Sequence, residues 1–234
     1  MLRKLLSIML VTVALFATAK NPYKQYTANL PFALPEFKAP KIPNRQVMLT
    51  DFNADPTGAT LCTDAFAKAI NMLSLQGGGH LIVPRGVWLT GPIVLKSNID
   101  FHLEKGAVVL FAADETLYPL ISTSFEGLDT RRCQSPLSAN GAENISITGD
   151  GVIDGNGQYW RPVKKAKVTE SHWKRLLEIP GGVAMRKDYW VPSEGYAKGE
   201  KGANMNVPKA ETEEEWQAVK RFLRPVMVSL VSCK

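Results

Sequence analysis

The 234-residue sequence predicts an all-β solenoid whose first coil is covered by one helix. Three short apolar runs, 81–83, 87–89 and 93–95, follow one another closely, and turn-forming residues close each of them. The strands of a β-sandwich meet a turn about every 8–12 residues, so runs this short do not suit a sandwich. They suit a chain that lays a few residues on one sheet, bends, and continues on the next sheet, as a solenoid does.

The segment ahead of these runs predicts an amphipathic helix from Thr63 to Leu75. Its apolar residues recur at helical spacing on a single face: Ala65, Phe66, Ala69, Ile70 and Leu73. Thr63 is the expected N-cap, and the glycines at 77–79 are expected to end the helix. Because the end of a solenoid exposes strand edges and apolar core, we expect this helix to cover it.

Further strands are predicted beyond the opening runs. Alternation over 99–104 indicates a half-buried strand, and the apolar stretch 107–112 indicates a strand covered on both faces. Asn98 and Asn144 open similar patterns 46 positions apart, which fits two coils of roughly 20–25 residues. Stacked asparagines can bond to one another from coil to coil.

The chain divides into five predicted segments. The N-terminus has a positive start, an apolar core and the small-residue cleavage site Ala17-Thr18-Ala19, the pattern of a secretory signal peptide. We therefore expect an exported protein without a membrane span, located in the periplasm, at the cell surface or outside the cell. The segments are 1–19 signal peptide, 20–47 extended proline-rich segment, 48–160 cap and first coils, 161–224 decorated loop insertion, and 225–234 start of a next coil, where the chain ends.

Two short helices are predicted within the insertion, residues 161–224. One spans 170–178 with Thr169 as its N-cap, and the other spans 213–223 with a capping box of Thr212 and Glu215. Their expected apolar faces are Trp173, Leu176 and Leu177 in the first helix, and Trp216, Val219, Phe222 and Leu223 in the second.

Positive charge is concentrated in the C-terminal third of the chain. Residues 20–160 carry 11 Lys and Arg against 13 Asp and Glu, whereas residues 161–234 carry 15 against 9. A basic segment of this kind favours an acidic polymer as partner, and a solvated lysine-rich insertion is the alternative interpretation. Nucleic acid is not expected, because no binding motif accompanies the charge.

The cysteines indicate neither a metal site nor a disulfide framework. Cys62, Cys133 and Cys233 are an odd number without metal-ligand spacing, so at most one pair can form. Our interpretation is that they act as small buried apolar residues. No metal site and no cofactor is predicted.

Several strings resemble the polygalacturonases, glycoside hydrolase family 28. They are TDAFAKAI, GGGHLIVPRGVWLTGPIVLKSNIDFHLEKGAVVLFA, ITGDGVIDGNGQYW and RPVMVSLVSCK, and the resemblance covers residues 49–160 and 223–234. It implies a right-handed parallel β-helix. It also implies inverting hydrolysis of α-linked galacturonic acid in pectin or polygalacturonate, or of a rhamnogalacturonan backbone, by a protein that is monomeric at full length.

The family's catalytic motifs are not found in this sequence. The resemblance implies carboxylates on later coils, in an Asn-Thr-Asp element, an Asp-Asp pair and a Gly-His-Gly element, followed by an Arg-Ile-Lys element. We therefore expect an enzyme by family whose N-terminal part alone is present, truncated before the active site and inactive by itself. No residue is assigned as catalytic, and the substrate-binding residues stay undetermined.

The carboxylates and histidines of the chain are poor substitutes for that machinery. Asp150 and Asp154 lie four positions apart among glycines, where aspartate commonly caps a turn, so we interpret them as structural. His80, His102 and His172 show no triad or ligand spacing.

Aromatic residues of the insertion and its approach offer another candidate site, because aromatic rings stack on sugars. They are Tyr159, Trp160, Trp173, Tyr189, Trp190 and Tyr196. Trp173 is expected in an apolar helix face. Tyr189 and Trp190 stand beside Arg186 and Lys187, which would suit a uronate, and simple packing of the insertion is the alternative.

Two other functions remain open from sequence. One is a binding module that holds an acidic plant polysaccharide without cutting it. The other is a β-helix pectate lyase or epimerase, which would need an acidic calcium cluster and a proton-abstracting base, and the sequence shows no such cluster.

Overall fold

A computed structural model describes residues 24–34 and 39–234 of the chain. The predicted signal peptide, residues 1–19, lies outside the described part. The chain forms two compact units, residues 1–39 and 40–234. The described residues of the first unit include one turn of helix, and the second unit holds all the described strands.

In chain order, the elements are α1 (Lys24–Thr27), β1 (Gln46–Met48), α2 (Thr63–Leu75), β2 (Gly79–Val83), β3 (Gly86–Thr90), β4 (Ile93–Val94), β5 (Ile99–Leu103), β6 (Ala107–Phe111), β7 (Leu120–Phe125), β8 (Leu128–Cys133), β9 (Leu137–Asn140), β10 (Ser146–Gly149), β11 (Val152–Asp154), β12 (Val163–Lys164), α3 (Glu170–Leu177), β13 (Val183–Arg186), β14 (Tyr189–Val191), α4 (Glu194–Lys201), α5 (Glu213–Ala218) and β15 (Val228–Val231).

Three parallel sheets form the body of the second unit. The first sheet has the strand order β1-β2-β5-β10, the second β3-β6-β11, and the third β4-β9-β15. The chain visits the three sheets in turn, so β2-β3-β4, β5-β6-β9 and β10-β11-β15 are three successive coils. This winding is the expected all-β solenoid, a parallel β-helix.

The stacking register explains why the sequence forms these coils. Leu81 pairs with Phe101 in the first sheet and Trp88 with Val109 in the second, and all four side chains are fully buried. Apolar residues at matching positions of successive coils therefore form continuous rows inside the β-helix. We call the resulting cluster the coil core; it comprises Leu49, Cys62, Ala65, Phe66, Ala69, Ile70, Leu73, Leu81, Val83, Trp88, Ile93, Leu95, Ile99, Phe101, Leu103, Ala107, Val109, Phe111, Leu137, Ala139 and Ala142.

Helix α2 covers the first coil as predicted. Its five predicted apolar residues are all buried in the coil core, and Phe66 meets Phe101 edge to face with ring centroids 5.9 Å apart. Its N-cap prediction is wrong: Cys62 precedes the helix, and the Thr63 hydroxyl accepts a hydrogen bond of 2.7 Å from the Gly91 amide. The hydroxyl thus fixes the turn between β3 and β4 and does not cap its own helix.

The stacking of the two asparagines is confirmed, but the prediction that two coils separate them is wrong: β5 and β10 belong to successive coils, and the β7–β8 hairpin lengthens the single coil between them to 46 residues. Asn98 and Asn144 both adopt left-handed backbone conformations, with φ of 62° and 52°, and Asn144 Nδ2 donates to Asn98 Oδ1 at 3.2 Å. Asparagine tolerates this conformation better than other residues with a β-carbon. Each asparagine therefore opens a first-sheet strand and bonds to the coil before it.

Two strand predictions need correction. β6 is covered on one face only: Ala107, Val109 and Phe111 are buried, whereas Val108 and Leu110 are partly exposed. Among the described residues, no second layer covers the outer side of this sheet. The almost wholly apolar strand β6 therefore has one solvent-exposed face. Asp100 in β5 is 4% exposed, because other polar side chains surround its carboxylate.

The insertion contains three α-helices, so the prediction of two was incomplete. Thr169 and Thr212 cap α3 and α5 as predicted, but Leu177 is 51% exposed and α5 ends at Ala218, followed by a 3₁₀ turn at Lys220–Phe222. α4 was missed because Gly195 and Gly199 weaken its helical signal. Gly199 is required there, since a β-carbon would lie 2.7 Å from Phe222.

Two antiparallel units were also missed. β7 and β8 form a hairpin, and β12-β14-β13 form a small sheet within the insertion. Among the described residues, no helix has the length and apolar character needed to cross a membrane.

Candidate functional site

Among the described residues, one corner of the β-helix carries the two large excursions between strands. The first coil passes from the second sheet to the third through Gly91 and Pro92 alone. The second coil inserts the β7–β8 hairpin at this corner, and the third coil inserts residues 155–227. Because the coils stack, the two excursions lie side by side.

The excursions share a hydrophobic cluster of their own, which we call the corner core. It comprises Tyr118, Cys133, Trp160, Tyr189, Val191, Tyr196, Val219, Phe222 and Leu223. A backbone hydrogen bond and a side-chain ion pair join the hairpin to the end of the insertion: the Cys133 amide donates to Leu223 O at 3.0 Å, and Arg131 pairs with Glu213. The hairpin and the insertion therefore form one packed structure above the corner.

A cleft of about 420 Å³ lies between the hairpin and the insertion where they meet the corner. Arg132, Arg161 and Arg224 line it, and Phe125, Trp160 and Met227 supply apolar walls. None of its lining residues is acidic. We call this feature the arginine cleft.

Arg132 is the buried member of the three, with 5% of its surface exposed. Its Nε and Nη2 donate to the carbonyl oxygen of Arg224 at 2.9 and 2.5 Å, and its guanidinium lies 3.9 Å from the centroid of the Phe125 ring. Burial lowers the pKa of Arg132, and the positive charge of Arg224 lowers it further. No carboxylate within the described residues forms an ion pair with Arg132, Arg161 or Arg224.

Two buried donors beside the arginine cleft have no hydrogen-bond partner among the described residues. They are Arg132 Nη1 and the indole Nε1 of Trp160. Trp160 is held in place by edge-to-face contacts with Tyr118 and Tyr159, at centroid distances of 5.3 and 5.4 Å. Unpartnered buried donors are uncommon in folded proteins and mark places where a missing acceptor is expected.

The predicted carboxylates lie apart from any catalytic arrangement. Asp150 is exposed ahead of β11, and Asp154 is the exposed last residue of that strand. Asp154 Oδ1 accepts a hydrogen bond of 2.8 Å from the Asn156 amide, which is the turn-capping role that its glycine neighbours predict.

Two of the histidines belong to a polar ladder on the outer face of the first sheet. His80 Nδ1 lies 2.8 Å from Asp100 Oδ2, and Ser146 Oγ donates to Asp100 Oδ1 at 2.6 Å. His102 Nδ1 lies 2.8 Å from Thr148 Oγ1. The order serine–aspartate–histidine does not place a base beside the serine hydroxyl, so the ladder is not a catalytic triad. His172 lies on α3 and lines a separate groove of the insertion.

The predicted aromatic candidates are mainly packing residues. Trp160, Trp173, Tyr189, Trp190 and Tyr196 are each at most 7% exposed. The Tyr189 hydroxyl lies 3.1 Å from Glu200 Oε1, and the Arg186 guanidinium lies 4.7 Å from the centre of the Tyr189 ring. A sugar therefore finds no free aromatic face in the Tyr189–Trp190 cluster.

The described residues offer no metal site, and two of the three thiols are buried. No group of three or more His, Cys, Asp or Glu side chains in this part of the chain is arranged to hold a metal ion. The three cysteines are unpaired, and Cys62 and Cys133 are buried as predicted, while Cys233 is partly exposed. Burial raises the pKa of Cys133 to about 12, which keeps it a thiol at neutral pH.

Sequence comparison identifies two relatives, both named as polygalacturonate-cleaving enzymes. The chain is 35% identical over 134 residues to a probable polygalacturonase from Vitis vinifera, a match covering 53% of this chain and 27% of that protein. It is 35% identical over 136 residues to an exo-poly-alpha-D-galacturonosidase from Dickeya chrysanthemi, covering 55% of this chain and 21% of that protein. No family model matches the chain.

A solved structure extends the likeness to the fold. A hyperthermoactive exopolygalacturonase from Thermotoga maritima superposes with a TM-score of 0.56 at 32% identity, over 84% of this chain and 40% of that one. The chain is therefore similar to the polygalacturonases of glycoside hydrolase family 28 over about half of its length. It spans about a quarter of the length of the curated relatives it matches. The predicted resemblance and the predicted β-helix fold are thereby confirmed.

The three arginines that line the arginine cleft were not singled out from sequence, whereas Trp160 was named among the aromatic candidates. Arg224 stands in the string RPVMVSLVSCK, which carried the family resemblance but assigned the arginine no role. Arg132 belongs to a hairpin that was not predicted, and Arg161 is one of many cations in the basic insertion. For the arginines, only the excess of positive charge over 161–234 pointed toward this region.

Proposed function

We propose that this chain supplies the N-terminal coils of an exported enzyme that hydrolyses α-linked galacturonic acid in pectic polysaccharide. One observation carries the proposal: the 35% identity to a polygalacturonase and to an exo-poly-alpha-D-galacturonosidase, in a chain that winds as a parallel β-helix. The reaction class follows from those names, and the coil structure is the scaffold on which it would be carried out.

Glycoside hydrolysis needs one carboxylic acid to protonate the leaving oxygen and one carboxylate to activate water or to act as nucleophile. The arginine cleft is lined by no carboxylate, and Asp154 is engaged in its own turn. We therefore assign the catalytic pair to coils beyond β15 in the longer enzyme.

The exposed side of the third coil supports this assignment. β10, β11 and β15 are the last strands of their sheets, and Ile147 and Val228 are 41% and 43% exposed. Their partners in the preceding coil, Phe101 and Leu137, are fully buried. An apolar row of this kind is the surface on which a further coil stacks.

Two assays on polygalacturonate test the reaction class. The chain alone, and the longer protein encoded by its uninterrupted reading frame, would be incubated with the polymer while reducing ends and unsaturated uronate products are measured. We expect reducing ends from the longer protein only, without unsaturated product. Unsaturated product would identify a lyase, and binding without release of either would identify an acidic-polysaccharide-binding module; both outcomes contradict hydrolysis.

Export has its own test. We propose that residues 1–19 are removed as a signal peptide and that the mature protein acts in the periplasm, at the cell surface or outside the cell. We expect mass spectrometry to show that the mature protein begins at Lys20. An intact Met1 on protein recovered from the cytoplasm would contradict export.

A further inference from the structure

The arginine cleft combines buried positive charge with missing acceptors. Arg132 is 5% exposed, yet its guanidinium donates hydrogen bonds only to a carbonyl oxygen and stacks on an aromatic ring, and Nη1 has no hydrogen-bond partner among the described residues. An ion removed from water without a counter-charge is costly, by several kcal/mol even after relaxation, as an order of magnitude. A second guanidinium, that of Arg224, stands close enough to lower the pKa of Arg132 further.

No acid of the described residues neutralises this charge. Glu126, at the tip of the hairpin, exerts an attraction on Arg132, but its carboxylate is exposed and lies 3.3 Å from Asn206 Nδ2. Arg161 is exposed at the rim of the cleft, with its Nε close to Gly157. The three cations therefore leave a net positive site that is complementary to an anion.

The remaining walls fit a sugar. Phe125 and Met227 are partly exposed in the cleft beside the arginines, with Trp160 buried behind them, so a ligand meets apolar surface and positive charge together. A pyranose ring with a carboxylate offers the matching pair, a face of C–H groups and one anionic group. The volume of about 420 Å³ lies within the range of about 300–1,000 Å³ typical of small-ligand sites.

We propose that the arginine cleft binds the carboxylate of one galacturonic acid unit, with Arg161 and Arg224 contacting it and Arg132 contributing charge from the buried wall. The sugar named here rests on the proposed function. Arginine suits this role because its planar guanidinium binds a carboxylate through two parallel hydrogen bonds.

The position of the cleft connects it to the rest of the enzyme. Pro136 and Met227 line it, and they directly precede β9 and β15 in the third sheet. A coil stacked on β15 would bring its own corner beside the cleft. A galacturonate held there would therefore lie next to residues of the following coil.

Binding of trigalacturonate to the chain tests the proposal. Titration calorimetry on the wild type, Arg161→Gln and Arg224→Gln would be compared with Arg175→Gln, which removes the same charge from an exposed position on α3 outside the cleft. Charge-assisted hydrogen bonds to carboxylates are strong enough that each cleft variant is expected to weaken binding at least about tenfold. Arg175→Gln is expected to change it by less than about twofold.

The ligand panel separates a uronate from other anions. The methyl ester of trigalacturonate, which keeps the sugar and loses the charge, is expected to bind at least about tenfold more weakly. Equal binding of ester and acid would overturn the proposal. So would equal binding of polyglutamate, because that polymer presents carboxylates without sugar rings.

Failure of this proposal is distinguishable from failure of the proposed function. If the longer protein releases reducing ends from polygalacturonate while Arg161→Gln and Arg224→Gln leave its KM unchanged, the cleft assignment is wrong and the hydrolase stands. If the longer protein is inactive while the chain still binds trigalacturonate through Arg161, the cleft stands and the hydrolase is wrong. Arg132→Lys serves as a third variant, with amide exchange reporting whether the hairpin stays folded.

Discussion

The coil core and the corner core belong to the same compact unit but arise from different kinds of sequence. In the coil core, buried residues of the strands have equivalents one coil away, as Leu81 has in Phe101 and Ile93 in Leu137. In the corner core, Tyr118, Trp160, Tyr196 and Phe222 come from two excursions that share no repeat. The repeating region provides the scaffold, and the irregular region carries the cationic cleft.

The coil core therefore contributes mainly to stability, and the corner core mainly to the shape of the binding surface. Stacked coils reuse one packing solution, so most of their buried residues are aliphatic at fixed register, with Trp88, Phe101 and Phe111 as the aromatic members. The corner core uses large aromatic residues joined edge to face, such as Tyr196 on Phe222 at 5.2 Å. Aromatic packing of this kind fixes the shape of a single surface, which is what a binding cleft requires.

The largest expected effect is in the coil core. Phe101→Ala removes a fully buried ring that contacts Phe66, and we expect a loss of about 3–5 kcal/mol in the free energy of unfolding. Chemical denaturation followed by circular dichroism would measure it. Val108→Ala, on the partly exposed face of β6, is the control with an expected loss below about 1.5 kcal/mol. A loss as small for Phe101 as for Val108 would contradict the assignment of the coil core.

A change in the corner core is expected to act locally. Phe222→Ala removes a ring that is 4% exposed and packs on Tyr196, at an expected cost of about 2–4 kcal/mol. Because the coils have their own core, amide exchange should accelerate in the hairpin and the insertion while β2 and β5 remain protected. Equal loss of protection in the coils would show that the two cores unfold together.

The polar ladder on the first sheet predicts acid sensitivity of the coils. Burial alone would raise the pKa of Asp100, but hydrogen bonds from Ser146, His80 and Thr148 outweigh it and lower the pKa. The carboxylate therefore stabilises the folded state above its unfolded pKa of about 3.9, and this contribution is lost as the pH falls through the lower folded pKa.

Asp100→Asn tests that ladder. We expect a loss of about 1–3 kcal/mol at neutral pH and a flatter dependence of stability on pH below about 4, because the acceptor charge is gone. Unfolding free energies measured at several pH values would show both effects. An unchanged acid limb in the variant would contradict a role for Asp100.

The smallest expected effect concerns the asparagine repeat. Asn144→Ala loses the bond to Asn98 and places alanine in a left-handed conformation, for a combined cost of about 1–3 kcal/mol. Asn144→Gly keeps that conformation and loses only the bond, so its cost should be smaller, about 1 kcal/mol. Equal costs for the two variants would mean that the backbone conformation contributes nothing.

The repeating region could largely be predicted from sequence, and the corner could not. Periodicity predicts α2 and the coil strands because the apolar residues there recur in the same environment. The spacing of Asn98 and Asn144 predicted their stacking but not the coil length, because the β7–β8 hairpin lengthens the coil between them. The corner depends on contacts between distant segments, such as Arg132 with the carbonyl of Arg224, 92 positions away. No local pattern records such a contact, and β7 and β8 therefore escaped prediction.

Side-chain burial also explains why the candidate residues named from sequence differ from the residues that line the arginine cleft. Tyr189 and Trp190 stood beside cations in sequence, but both are buried against their own insertion. Arg161 and Arg224 were not distinguished from the other cations of residues 161–234, because lining a shared cleft is a property of the fold. Thr63 likewise bonds across to Gly91, which a local capping rule does not anticipate.

The most direct measurement is the release of reducing ends from polygalacturonate by three proteins side by side. They are the chain itself, the longer protein of its reading frame, and the longer protein carrying Arg161→Gln. We predict no release by the chain, release by the longer protein, and a KM at least about tenfold higher in the variant. Release by the chain alone, or an unchanged KM in the variant, would contradict the division between a coil scaffold and a uronate-binding corner.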